Sequence, residues 1–274
     1  MEKLNKQFPF RITLQTTYRA AEERTSFEAL LAQLQQLGFY GIELNLPDLT
    51  LISPDDLTAL LDRYHLVLTY LATGAYAKTN GYSLSTADNA LREQSIQGCV
   101  DNIEYAAKAG AGVILGFLKG GPGDIPEAAE ARLTDSIRQI CQRTKADVPV
   151  LLEVTNRSES SCACTLREAE QIVTAIRDPR LYILPDTYHM AVGKTDTMED
   201  VNRLHSYVRN IHLSDDTRFL PGLGNLDFSN IVGALKDMGY QGTCGLEGNI
   251  RDSLSADLAA SAAYLCRVGT GISG

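Results

Sequence analysis

Glu153, Asp186, His212 and Glu247 each stand at or near the end of a short apolar run, in the segments "VPVLLEV", "LYILPD", "NIHLSD" and "GTCGLEG". Successive members are 33, 26 and 35 residues apart, each close to one strand, one helix and their loops. Residues at equivalent ends of successive parallel strands converge on one rim, so three carboxylates and one imidazole meet there. Three carboxylates in a poorly solvated mouth repel one another, and either one binds a proton or a cation neutralises them. A divalent metal removes that conflict. An oxygen-rich set with one nitrogen and no thiolate suits Mn2+ first, is compatible with Mg2+, Co2+ or Zn2+, and excludes Fe–S clusters and Cu(I). A single carboxylate at a strand end commonly caps the next helix instead; four in register argue for a shared site. His65 and His205 fall at or within helical segments and read as structural or solvent-facing. His189 follows Asp186 by three residues, on the same rim and within reach of a bound ligand.

The elements that must position these groups alternate along the whole chain. Eight apolar runs read as buried parallel strands: 11–16, 41–46, 66–74, 112–118, 148–154, 181–186, 210–215 and 242–248. Each is followed by an amphipathic stretch. In "SFEALLAQLQQLGF", Phe27, Leu30, Leu31, Leu34 and Leu37 recur at helical spacing behind Ser26 as the expected N-cap. Ser53 before Pro54 opens another helix, while Gly239 and Gly269 are expected to end the last two. Eight β-then-α units without the alternation of a half-solvated sheet predict an α/β fold closed as a (β/α)8 barrel, one domain over residues 1–274.

Net charge is −9, with no block of lysines or arginines, which argues against nucleic acid as a partner. No apolar run approaches the roughly 18 residues of a membrane span, and the opening residues hold no signal-peptide pattern, so a soluble cytoplasmic protein is expected. The six cysteines form no C-x-x-C pair and no disulfide-dense spacing; Cys162 and Cys164, flanking one alanine, are a minor metal-binding candidate.

The stretches "LLEVTNRSE", "LPDTYHM", "IHLSDDTRFLPGLGNLDF" and "GLEGN" together resemble the xylose isomerase-like barrels of sugar isomerases and epimerases, most closely the ketose 3-epimerases of the tagatose and psicose type. That resemblance covers nearly the whole chain and is most specific in its second half. It implies one divalent metal, held by Glu153, Asp186, His212 and Glu247. It also implies that Glu159, His189 and Arg218 contact sugar oxygens. The chain has no tryptophan, so Tyr18, Tyr76 and Phe117 are the candidates for apolar walls. Lys119, in "LKGGPG", is a candidate phosphate ligand.

The implied reaction is epimerisation at C3 of a free or phosphorylated ketose. A weakly acidic proton beside a carbonyl is removed to give a cis-enediolate, which a cation stabilises, and is returned from the other face. Two bases on opposite faces are needed, and Glu153 and Glu247 are the expected pair. The same apparatus could shift a proton between C1 and C2, interconverting aldose and ketose or isomerising a hydroxy-carbonyl acid, or begin a dehydration. A metal-dependent endonuclease acting at abasic sites and a non-catalytic sugar or metal sensor are the readings from other classes. The nuclease would require further histidines on the early strands, and none is present there. A homo-oligomer of two or four copies is expected.

Overall fold

The computed structural model describes residues 3–271. Eight parallel strands are found where the apolar runs fall: β1 (Arg11–Thr17), β2 (Gly41–Asn45), β3 (Val67–Ala72), β4 (Gly112–Leu115), β5 (Val150–Glu153), β6 (Leu181–Leu184), β7 (Asn210–Leu213) and β8 (Thr243–Leu246). They pair in the order β6-β5-β4-β3-β2-β1-β8-β7. The seam between β6 and β7 is closed by bridges joining Ile183 to Val208 and Asp186 to His212. The His212 N–H donates to Pro185 O across it at 2.9 Å. The barrel therefore closes at two of the candidate ligands.

Helices cover the outside because their apolar stripes must be buried against the strands. In the helix Arg24–Leu37, the five residues picked out by spacing are all buried. Truncating a fully buried member such as Leu34 to alanine costs about 2–5 kcal/mol. Two sequence expectations about helix ends are corrected. A 3-10 turn at Ala21–Glu23 runs straight into this helix, so Glu23 is its N-cap and the Ser26 hydroxyl, one turn inside, donates to Glu23 O. Gly269 does not end the last helix, Leu254–Thr270; a Cβ there would overlap Gln7 O, and the left-handed cap is Gly271. Ser53 caps its helix as expected, accepting from Asp56 N, and left-handed Gly239 follows the helix Phe228–Asp237 by two residues.

The connection from β3 to β4 holds two helices, Gly74–Asn80 and Asn89–Lys108. The first borders the barrel mouth because the chain leaves β3 at Thr73, whose hydroxyl and N–H both donate to Ile114 O. No described helix is long and apolar enough to cross a membrane.

Candidate metal centre and catalytic cavity

Glu153 is the last residue of β5 and His212 the third of β7, while Asp186 and Glu247 lie two and one residues beyond β6 and β8. One donor atom from each lies within 4.8 Å of all the others. Asp186 caps a helix with one oxygen and joins the cluster with the other. Its Oδ1 accepts from Tyr188 N at 2.7 Å and His189 N at 3.3 Å as the N-cap of the helix Thr187–Gly193. That leaves Oδ2 for the cluster.

The His212 ring is oriented by a residue that sequence reasoning passed over. Nε2 donates to Oε2 of Glu43 on β2 at 2.8 Å, so the proton resides there and Nδ1 faces the carboxylates. Nδ1 lies 3.2 Å from Glu153 Oε1, 2.8 Å from Glu247 Oε2 and 3.8 Å from Asp186 Oδ2. Glu43 is fully buried, and its other oxygen accepts from Thr13 Oγ1 at 2.9 Å and Asn210 Nδ2 at 2.7 Å. Such an outer carboxylate fixes the tautomer and raises the basicity of a metal-binding histidine. Its signal in the sequence was a lone charge inside "GIELNL", between Ile42 and Leu44. Two glycines make room for these acids: a Cβ at Gly245 would overlap Glu43 Oε1, and one at Gly116 would overlap Glu153 Oε2.

The electrostatics favour positive charge beside the carboxylates. Burial works against the imidazolium of His212, but Glu43, Glu247 and Glu153 outweigh it and lift the pKa well above the usual histidine value. Burial and Glu247 push the Glu153 pKa up, yet the neighbouring His212 and His189 hold it below the ordinary carboxylate value. Burial also opposes ionisation of Glu247, and Arg218 and His212 overcome it. Buried Glu247 Oε2 has no hydrogen-bond partner although it lies close to Nδ1. A divalent ion in place of an Nδ1 proton satisfies that oxygen and the other carboxylates together, and the donor set of oxygens and one nitrogen fits it.

Arg218 supplies one further positive charge. Its Nη1 lies 2.6 Å from Asp186 Oδ2 and its Nη2 3.0 Å from Glu247 Oε1, and the guanidinium stacks 4.7 Å from the Tyr188 ring centroid. The residue has a left-handed backbone, φ 59°, which costs about 1–2 kcal/mol for a non-glycine residue. A turn holds it there: Arg218 N donates to Asp215 O and Arg218 O accepts from Asn249 N. Buried Asp215 anchors the loop that follows by accepting from the N–H groups of Gly222, Gly224 and Leu226, and Asp216 accepts from Asn225. Those two aspartates build the turn.

A cavity of about 550 Å3 opens over the cluster and is lined by Glu153, Glu159, His189, Arg218 and Glu247, among others. Buried His189 accepts at Nδ1 from Asn156 N and Nδ2, so its Nε2 carries the proton. The family model described as "Xylose isomerase-like TIM barrel" matches residues 31–268. The chain belongs to that family. It is 22% identical over 246 residues to fructoselysine 3-epimerase of Escherichia coli O157:H7, covering 84% of this chain and 88% of that one. To D-psicose 3-epimerase of Ruminiclostridium cellulolyticum it is 25% identical over 244 residues, covering 85% and 82%. A solved structure of L-ribulose 3-epimerase superposes with a TM-score of 0.82 at 21% identity, covering 96% of this chain and 95% of that one. That last likeness shows the shared fold.

Within this family frame, several secondary sequence expectations change. Lys119 is 1% exposed, and its Nζ donates to Glu153 O and Thr155 Oγ1, both at 2.7 Å. It braces the β5 end with two of its three N–H groups. Tyr18 is buried against Phe27, and Tyr76 packs on Tyr82, so of the three aromatic candidates only Phe117 lines the cavity. Cys162 and Cys164 donate to the carbonyls of Lys119 and Ser160, and burial pushes the Cys164 thiol up to about 11. Neither belongs to a metal-binding group among the described residues.

Proposed function

We propose that this chain is a divalent-metal-dependent ketose 3-epimerase, with Glu153 and Glu247 as its two bases. The observation that carries the reading is their convergence on His212 Nδ1, at 3.2 and 2.8 Å, from the ends of the fifth and eighth strands of the barrel. A cation held by Glu153, Asp186, His212 and Glu247, with Mn2+ the first choice, supplies Lewis-acid stabilisation of the charge that develops when a proton leaves carbon beside a carbonyl. Glu153 or Glu247, as a carboxylate, takes the C3 proton; the other, as a carboxylic acid, returns one to the opposite face. In this reading Arg218 and the Nε2–H of His189 donate to sugar oxygens and Glu159 accepts from a hydroxyl, a role supported by their all lining the cavity. The names of the relatives support the reaction class, and the cavity volume and the net charge of −9 support a small sugar over nucleic acid.

The test is incubation of the Mn2+-loaded protein in D2O with a panel of ketoses, followed by NMR. Deuterium is expected at C3 together with the accumulating epimer. Exchange at C1 instead would make the protein an aldose–ketose isomerase, and no exchange with any sugar would favour a sensor.

A further inference from the structure

The cavity wall divides by charge. Along the arc that follows β1 to β4, the charged lining residues are Arg19, Lys78 and Lys119, and no Asp or Glu among the described residues lines the cavity there. Along the arc that follows β5 to β8, the charged residues are Glu153, Glu159, Glu247 and Arg218. The metal cluster belongs wholly to that second arc.

On the first arc, Arg19 and Lys78 have no carboxylate partner for their side chains among the described residues. Glu23 accepts from the backbone N–H of Arg19 at 3.1 Å, not from its guanidinium. Lys78 Nζ rests 4.7 Å from the centroid of the Phe117 ring, and Phe117 is itself 43% exposed. A cation held against an aromatic face keeps its remaining donors for another partner. Asn45 lines the cavity on the same arc, with its Oδ1 committed to Ala75 N and its Nδ2 to Gln15. Two unpaired cations, carried on one wall of a protein of net charge −9, attract an anion to that wall.

We infer that the β1–β4 arc is a subsite for an oxyanion, a phosphate or a carboxylate, carried on the substrate at the end remote from C2 and C3. This rests on the reading that a ketose places C2 and C3 at the metal cluster, and it narrows the substrate from neutral sugars to anionic ones. Arg19 and Lys78 donate to the oxyanion, and Phe117 flanks the apolar face of the carbon chain.

The experiment measures binding of D-fructose, D-fructose 6-phosphate and D-fructuronate, which carries a carboxylate at C6, to the Mn2+-loaded protein by calorimetry. The parent is compared with the Arg19→Gln/Lys78→Gln double variant and with each single variant. At least one anionic sugar is expected to bind about ten-fold more tightly than D-fructose. The larger preference identifies the phosphate or the carboxylate as the anion, and the double variant should bring the ratio near one. Inorganic phosphate serves as a control, because binding at the metal itself persists in the variants. Equal affinity for all three sugars, or a preference that survives the double substitution, would overturn the subsite. Tight binding of an anionic sugar without deuterium exchange at C3 would instead refute the epimerase reading and leave the subsite standing.

Discussion

Around the mouth of the barrel, the β5–β8 arc holds its charged groups in position by hydrogen bonds and ion pairs, whereas the β1–β4 arc leaves Arg19 and Lys78 exposed and without ionic partners among the described residues. In the β5–β8 arc, Asp186 is tied to a helix N-terminus, His212 to Glu43 and Arg218 to two carboxylates. In the β1–β4 arc, Lys78 touches an aromatic ring, and the Arg19 side chain has no hydrogen bond or ion pair among the described residues. Chemistry that moves a proton between fixed faces needs groups held to a fraction of an ångström, which only packing and hydrogen bonding provide. Selection of a charged substituent tolerates mobile side chains, because a charge acts over a distance.

The sharpest way to break this comparison is to disable the rigid half. Glu153→Gln and Glu247→Gln each keep an oxygen for the metal and lose a base. Inversion should fall by several orders of magnitude, with loss of the base alone contributing about 10²–10⁴-fold. Each variant should still exchange the C3 proton of the one epimer that faces its surviving base, in complementary patterns by NMR in D2O. Inversion at the parent rate by either one, with metal saturating, would place the base elsewhere on the rim, with His189 the first to examine.

Glu43→Gln tests the support behind that half. Both Glu43 oxygens accept hydrogen bonds, from Thr13 and Asn210 on one side and His212 on the other. An amide must turn its NH2 toward one of those donors, and facing His212 it would favour the tautomer with hydrogen on Nδ1. Mn2+ affinity should drop about 10–100-fold, read as free Mn2+ by electron paramagnetic resonance. An unchanged affinity would show that Glu43 does not position His212.

Metal removal and Arg218 probe the same balance more gently. Chelation should lower the melting temperature of the parent by about 5–10 °C, since an ion at 100 times its Kd contributes about 2.7 kcal/mol. Arg218→Ala leaves Asp186 and Glu247 uncompensated, at a cost of about 3 kcal/mol without metal. The gap between chelated and Mn2+-loaded melting temperatures should therefore widen in the variant. A gap equal to that of the parent would mean that Arg218 does not balance the cluster.

The smallest effect belongs to the open half. Lys78→Gln should change stability by less than about 0.5 kcal/mol, because an exposed side chain with one aromatic contact is not part of the packing. A large drop in melting temperature would show that this arc is as structural as the other.

The eight strands and the cluster were legible in the amino-acid order because both are local signals repeated. A strand buried on two faces must be a short apolar run, and a functional group at its end interrupts that run, as Glu153, Asp186, His212 and Glu247 do. Short-range readings went astray where a residue type has two uses. Ser26 resembled a cap and Gly269 a terminator, but a preceding 3-10 turn and contact with the N-terminal segment decided otherwise. What only the tertiary structure decided are the partnerships across long separations. Glu43 meets His212 across 169 residues and Asn210 across 167, and nothing local distinguishes it from a misplaced surface acid. Lys119 and Lys78 each follow an apolar residue and precede a small or polar one, yet one is buried as a brace on β5 and the other is exposed at the cavity wall. Sequence period determines which residues must leave water, because burial is favourable along any strand or helix of that pattern. Which buried or charged group finds which partner depends on the tertiary fold, which sets Glu43 of β2 against His212 of β7 although β1 and β8 lie between those strands, and gathers Arg19 and Lys78 on one arc of the mouth and the carboxylates on the other.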